Sequence, residues 1–289
     1  MTTSELAGAW ETPPAVLAAA GLALLLYAQA FWRLRRRGGP ARAPWSRPVL
    51  FALAVAAAVL ALVSPLDAAG VDFLLSAHML QHVVIGDLVP ALALLAVRGP
   101  LVFFLLPARA LGALGRIEPL RRALGFLLRP RVAFCAWALV VGAWHVPHAY
   151  DYVLTQPVVH DLEHVTFVVA GLLVWAQLVD PARRRVLSIP SRVGFALVLF
   201  ACGLVLGDVL VFSLHPLYGA YAAQPERLFG LSPLIDQRLA GIVMMADQLL
   251  TLGTCVAVLL ILRQRAPANA RAPSAVASRA RPRSAASRP

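Results

Sequence analysis

The chain reads as an all-α polytopic membrane helix bundle of about seven transmembrane helices, and three observations carry that reading. Of its 289 residues, 60% are hydrophobic and the mean hydropathy is +0.75, well above the range of soluble domains. The apolar residues gather into seven stretches, each close to the ~20 residues that a helix needs to cross the hydrocarbon core. The basic residues, all 26 of them arginine, lie between those stretches, and arginine-rich loops alternate with arginine-poor ones.

In chain order the stretches are 14–33, 49–65, 72–97, 131–147, 159–179, 193–214 and 237–262. The first runs straight into Arg33, Arg35, Arg36 and Arg37 with no small-residue cleavage site. It is therefore expected to be a retained span and not a signal peptide. The second and fourth are short. Loops 33–47, 98–131 and 180–192, with the chain after 262, hold 24 of the 26 arginines. The opposite side has only Arg227 and Arg238 among several carboxylates. The positive-inside rule then places the N-terminus outside and the C-terminus inside. It also explains the net charge of +12 without any nucleic-acid partner.

Two segments outside the spans have their own character. In 98–131, Arg109, Arg116, Arg122 and Arg129 recur among Leu and Phe. That pattern predicts short amphipathic helices on the inner surface, broken around Pro119. Residues 266–289 are mostly Ala, Pro, Ser and Arg. They are expected to form a disordered basic tail near anionic lipid, leaving 1–265 as one transmembrane domain. Cys135, Cys202 and Cys255 sit in apolar surroundings with no CxxC, so they read as packing residues.

The seven histidines, at 78, 82, 145, 148, 160, 164 and 215, all map to the outer half of the predicted topology. HMLQH (78–82) and HDLEH (160–164) each place two imidazoles four residues apart on one helix face, about 6 Å along the axis. Polar side chains in lipid are costly and face a partner or a cavity, so two such pairs from separate spans form a candidate metal site of His78, His82, His160 and His164. His145 and His148 straddle Pro147, where a helix ends or kinks. His145 is expected to face the bundle and His148 the outer loop.

Softer and harder donors lie nearby in sequence. Met79 adjoins His78, and Met244 lies in the outer half of the last stretch. Thioether with imidazole suits Cu(I) better than Mg or Ca. Asp87, Asp208 and Asp247 fall within spans, where an ionised group needs a partner or water. Asp208 precedes His215 by seven residues, two turns along one face. Asp208 and Asp247 are accordingly expected either as supports for a histidine ligand or a cation path, or as interhelical hydrogen-bonding groups, with His215 auxiliary, and Asp87 as a source of interhelical hydrogen bonds.

These residues resemble a known family. HMLQHVVIGDLVPALALLAVRGP (78–100) resembles the third span of the polytopic CtaG-like cytochrome c oxidase assembly factors. WHVPHAYDYVLTQPVVHDLEHVTFVVAGLLVW (144–175) resembles their W-H-x-P followed by an H-x-x-E-H helix, and DQRLAGIVMM (236–245) their entry to the last span. The resemblance covers 72–262. It implies a seven-span bacterial plasma-membrane protein that assists assembly of haem-copper oxidases, with oxidase subunits as partners and copper as the metal. By position it makes His78, His82, His160 and His164 metal-handling residues, with Trp144, His145 and Met244 close by. His148 and the Asp247-Gln248 pair depart from the pattern.

Three other classes fit parts of the pattern. The histidine spacing loosely resembles that of membrane di-iron oxidoreductases, with iron as the metal, but there is no adjacent His pair and the sidedness is opposite. A b-type haem protein needs only one axial His per helix, which leaves the doubled pairs unexplained. A metal cation transporter could use Asp87, Asp208 and Asp247, but the inner half lacks a matching polar route.

Overall fold

A computed structural model describes residues 3–265, which contain helices and loops and no strand. Each predicted stretch has its helix: α1 (Pro14–Gly38), α2 (Ser46–Val63), α3 (Leu75–Val97), α4 (Pro130–Trp144), α5 (Pro157–Val179), α6 (Ile189–Phe212) and α7 (Pro233–Arg265). Six are long and apolar enough to cross a membrane. The seventh, α4, has 15 residues and follows Glu118–Leu127 across a 76° bend. Proline at or next to the first position starts α1, α4, α5, α6 and α7. There its missing N–H costs nothing and its fixed φ suits the helix.

Most boundaries shift by a few residues, α1 running on to Gly38 and α6 starting at Ile189, and two of the shifts bear on the site. Residues 65–72 form their own short helix, capped by the Ser64 side chain, so α3 begins at Leu75 and not at 72. The last span begins at Pro233, four residues before the predicted start, behind the Ser232 cap. The segment 98–131 contains Ala108–Arg116 and Glu118–Leu127, two short helices with no buried residue. The break falls at Ile117, just before Pro119, as expected. The predicted tail, 266–289, lies outside the described residues.

Helix α3 is central and packs against α2, α5 and α7, while α4 lies along α5, α6 along α7 and α1 along α2. On α1 the stripe Tyr27, Ala30, Phe31 and Leu34 is buried, at the i, i+3, i+4, i+7 spacing of one face. Tyr27 stacks on Phe51 of α2 with ring centroids 4.1 Å apart. Away from the contacts the bundle is greasy: Leu139, Val158 and Phe212 are more than 70% exposed. A continuous exposed apolar surface is what a lipid-facing bundle presents.

Two close approaches depend on glycine. A Cβ at Gly171 of α5 would overlap the Gly86 carbonyl and the Pro90 ring of α3. Gly203 of α6 faces the Gln248 side chain of α7 and Gly207 faces Gly241 and Met245, where a Cβ at Gly241 would sit 2.7 Å from the Gly207 carbonyl oxygen. Small residues one turn apart let membrane helices approach closely.

Both α3 and α7 contain one π-helical turn, Val84–Leu88 and Leu249–Gly253. In α3 that turn precedes Pro90, whose ring cannot donate to the carbonyl one turn earlier. The two widened turns bring Asp87 and Thr251 together: the Thr251 hydroxyl and the Trp175 indole N–H both donate to the Asp87 carboxyl.

Candidate metal centre

The N-terminus of α3 is built by a carboxylate from α7. Leu75 N–H donates to Asp236 Oδ2 at 2.7 Å, Ser76 N–H to Oδ1 at 3.1 Å and the Ser76 hydroxyl to Oδ1 at 2.5 Å. These donors are among those that a helix start leaves without intrahelical partners. Next to it, Gln237 accepts from Leu217 N–H at 2.7 Å and donates to the Leu210 carbonyl at 3.2 Å. The Asp-Gln pair that opens the DQRLAG motif therefore joins α7 to the first turn of α3 and the exit of α6. The first turns of α3 carry His78 and His82, so this lock sets where those imidazoles stand.

Four of the seven histidines then converge. One ring nitrogen from each of His78, His82, His160 and His164 lies within 4.8 Å of all the others. The ring centroids are 4.3 Å apart within the α3 pair and 4.2 Å within the α5 pair. Across the helices they are 5.2 Å apart for His78–His160 and 5.4 Å for His82–His164. His78 and His82 are 0% and 3% exposed, and His164 is 8%.

Hydrogen bonds orient His78. The Tyr221 hydroxyl donates to the Gly70 carbonyl at 2.6 Å and lies 3.0 Å from His78 Nδ1. That hydroxyl has one proton and spends it on a carbonyl, which can only accept. His78 must therefore donate from Nδ1 to the Tyr221 oxygen, which leaves the Nε2 lone pair facing the cluster. Burial pushes the phenols of Tyr221 and of its neighbour Tyr150 above their ordinary range, so both remain neutral donors. His78 Nε2 lies 2.9 Å from His82 Nε2.

A carboxylate absent from the sequence-predicted site completes the constellation. Glu163 of α5 is 1% exposed, with Oε2 3.7 Å from His82 Nε2 and 4.0 Å from His78 Nε2. The signal that finds it is in HDLEH. Residues 160, 163 and 164 stand at i, i+3 and i+4, so Glu163 shares the inward face with both histidines.

Several buried atoms here have no protein hydrogen-bond partner: His82 Nδ1, His160 Nε2, His164 Nε2 and both Glu163 oxygens. Each such buried group costs roughly 1–3 kcal/mol. His82 meets the cluster through Nε2, so its Nδ1 stands apart; the unpartnered atoms of His160, His164 and Glu163 fit a site whose lone pairs converge on a cation. Imidazole with one carboxylate suits a transition metal.

The other predicted residues divide. His145 is buried but belongs to a different contact: its Nε2 lies 3.3 Å from Met79 Sδ. Met244 is 7% exposed, in a core cluster with Met79. Met79, His82, His145 and Met244 line one cavity of about 70 Å³ that runs down to Asp87 and Asp247. Trp144 links α4 to α5, its indole N–H donating to the Thr166 hydroxyl at 2.9 Å. His148 is exposed, as expected.

Two auxiliary assignments, Asp208 and His215, need correction, and Asp247 takes one of its two expected roles. Asp208 is exposed beside Val205, Val209 and Phe212, away from every histidine of the cluster. The shared face that linked it to His215 does not exist, because α6 ends at Phe212. His215 is also exposed, and its carbonyl, not its ring, engages Ser213 and Gln237. Asp247 hydrogen-bonds Asp87, which is the interhelical alternative the sequence also offered, and not an imidazole. Asp87 does make interhelical hydrogen bonds, to α5 and α7, as the sequence suggested.

Fold and site together define a multi-pass membrane protein with an intramembrane cluster of histidines. The chain belongs to the cytochrome c oxidase caa3 assembly factor (Caa3_CtaG) family, whose family model matches residues 25–265. The match spans all the helices that build the cluster. Comparison with curated proteins and with solved structures gave no match.

Proposed function

We propose that this assembly factor binds copper through His78, His82, His160 and His164 and makes it available to a haem-copper oxidase during its assembly. One observation carries the reading: four imidazoles from two spans each bring a ring nitrogen within 4.8 Å of the others. Tyr221 fixes the tautomer of His78, and Asp236 anchors the helix start that holds the α3 pair. Glu163 offers a carboxylate that offsets the charge of an arriving cation. Nothing in this role requires turnover. The metal is cargo, and the chain binds and releases it.

The protein would lie in the bacterial plasma membrane, as the family suggests, and the arginine distribution favours an N-terminus outside, with the cluster near the extracytoplasmic face. That is where copper would be received and where an oxidase subunit would dock. The test is metal analysis of the protein purified from copper-supplemented cells, beside the double variant His78→Ala/His160→Ala. The wild type is expected to carry copper and the variant to lose it, with loss of oxidase activity in the same membranes. Equal copper in both would overturn the reading. Iron in place of copper, lost in the same variant, would move the site to the di-iron class.

A further inference from the structure

The cavity beside the cluster holds a second pair of donors that the four-histidine site does not use. His145 Nδ1 lies 2.7 Å from the Val141 carbonyl oxygen. A carbonyl only accepts, so Nδ1 carries the ring proton and donates it there. In neutral imidazole this leaves Nε2 with a bare lone pair. That lone pair faces Met79 Sδ at 3.3 Å, and a thioether has no proton to give. Two lone-pair donors therefore face one another at close range with no hydrogen between them.

Both are held there. Met79 is 0% exposed and His145 is 8%. His145 is fixed at its other nitrogen by Val141, and its backbone carbonyl accepts from the Tyr218 hydroxyl at 3.2 Å. A metal bound about 2.0 Å from an imidazole nitrogen and about 2.3 Å from sulfur spans such a separation at a bond angle near ~100°. Met244, a second thioether, lines the same cavity as Met79 and His145. His82 belongs to both places, with Nε2 at His78 and its ring in the cavity wall.

We propose that His145, Met79 and Met244 form a second, soft metal position for Cu(I), separate from the four-histidine cluster and adjoining it through His82. Nitrogen with thioether sulfur selects Cu(I) over Zn(II) or Mg(II), whereas four imidazoles with a carboxylate accept Zn(II) and Cu(II) as well. The chain would then hold two metal stations of different softness side by side. The proposal uses a donor set distinct from the proposed copper cluster, and it stands or falls independently of it.

The test uses the full-length protein in detergent, titrated anaerobically with Cu(I) against a competing chelator and, separately, with Zn(II). X-ray absorption follows on the copper-loaded samples. Wild type is expected to bind about two Cu(I), part of it sulfur-ligated, and about one Zn(II). Met79→Leu and Met244→Leu nearly conserve volume, and their Zn(II) binding reports whether the fold survives. Each is expected to weaken the sulfur-ligated copper by more than about tenfold while Zn(II) is retained. His78→Ala/His160→Ala should do the reverse, losing Zn(II) and keeping sulfur-ligated Cu(I). Wild-type copper without sulfur ligation would overturn the proposal. So would sulfur ligation that vanishes with both sets of variants, which means one mixed site. If Zn(II) and Cu(I) survive in His78→Ala/His160→Ala, the cluster reading fails and the soft position remains.

Discussion

Two polar layers are buried in this bundle, and they treat their polar atoms in opposite ways. The deeper layer is Asp87 with Asp247, the former five residues beyond His82, about 7–8 Å further along α3 at the helical rise. There the Asp87 carboxyl receives the Trp175 indole N–H, the Thr251 hydroxyl and a hydrogen bond with Asp247. The outer layer is the histidine cluster, where three ring nitrogens and both Glu163 oxygens lack a protein partner. A buried group that serves architecture is met by other protein groups; one that serves a ligand is left with its lone pairs aimed at a common point. The same rule separates Asp236, fully engaged in capping α3, from Glu163, whose two oxygens have no protein hydrogen-bond partner.

That contrast makes unequal demands on substitution in the metal-free protein. The largest cost is expected at Asp87→Leu, which strands the Trp175 donor and the Asp247 carboxyl, whereas the Thr251 hydroxyl keeps the Asp247 backbone carbonyl at 2.9 Å. A loss of about 3 kcal/mol in unfolding from mixed micelles is expected, and a loss below about 1 kcal/mol would show the carboxyl layer to be dispensable. Next comes Gly171→Ala, whose methyl group would collide with the Gly86 carbonyl. It should cost about 1–3 kcal/mol by forcing α5 away from α3. Asp236→Ala removes the cap from α3 and should cost about 1–2 kcal/mol. The smallest effect is expected at the outer layer: His164→Leu removes an unpartnered nitrogen and should leave metal-free stability unchanged within about 0.5–1 kcal/mol, or raise it. A strongly destabilised His164→Leu would mean that the histidine layer is architecture too.

The same division shows what the sequence can disclose. Spans follow from apolar length and loop arginines, and the i, i+4 histidine pairs from helical period. Both are local signals, and both hold. Glu163 was equally legible, one position from His164 on the inward face, but it reads as an outer-surface charge when sorted by topology alone. Tyr221 and Asp236 were not legible. They act on α3 from 143 and 160 or more residues away, and no periodicity encodes such a contact. Asp208 misled because the helical face was extended past Phe212 into a segment that is not helical. His145 was correctly placed toward the interior, but only the geometry separates it from the four-histidine cluster and joins it to Met79.

The central claim is that the outer layer is built for a metal and not for the fold. Ligand-linked stability tests it most directly, because an ion that binds only the folded chain raises its unfolding free energy by about 2.7 kcal/mol at a hundredfold excess over Kd. Copper is expected to raise the unfolding temperature of the wild type, and His160→Leu/His164→Leu, which removes two unpartnered nitrogens and is as stable as wild type without metal, to show a markedly smaller rise or none. An equal rise in both proteins, or no rise in either, would contradict it.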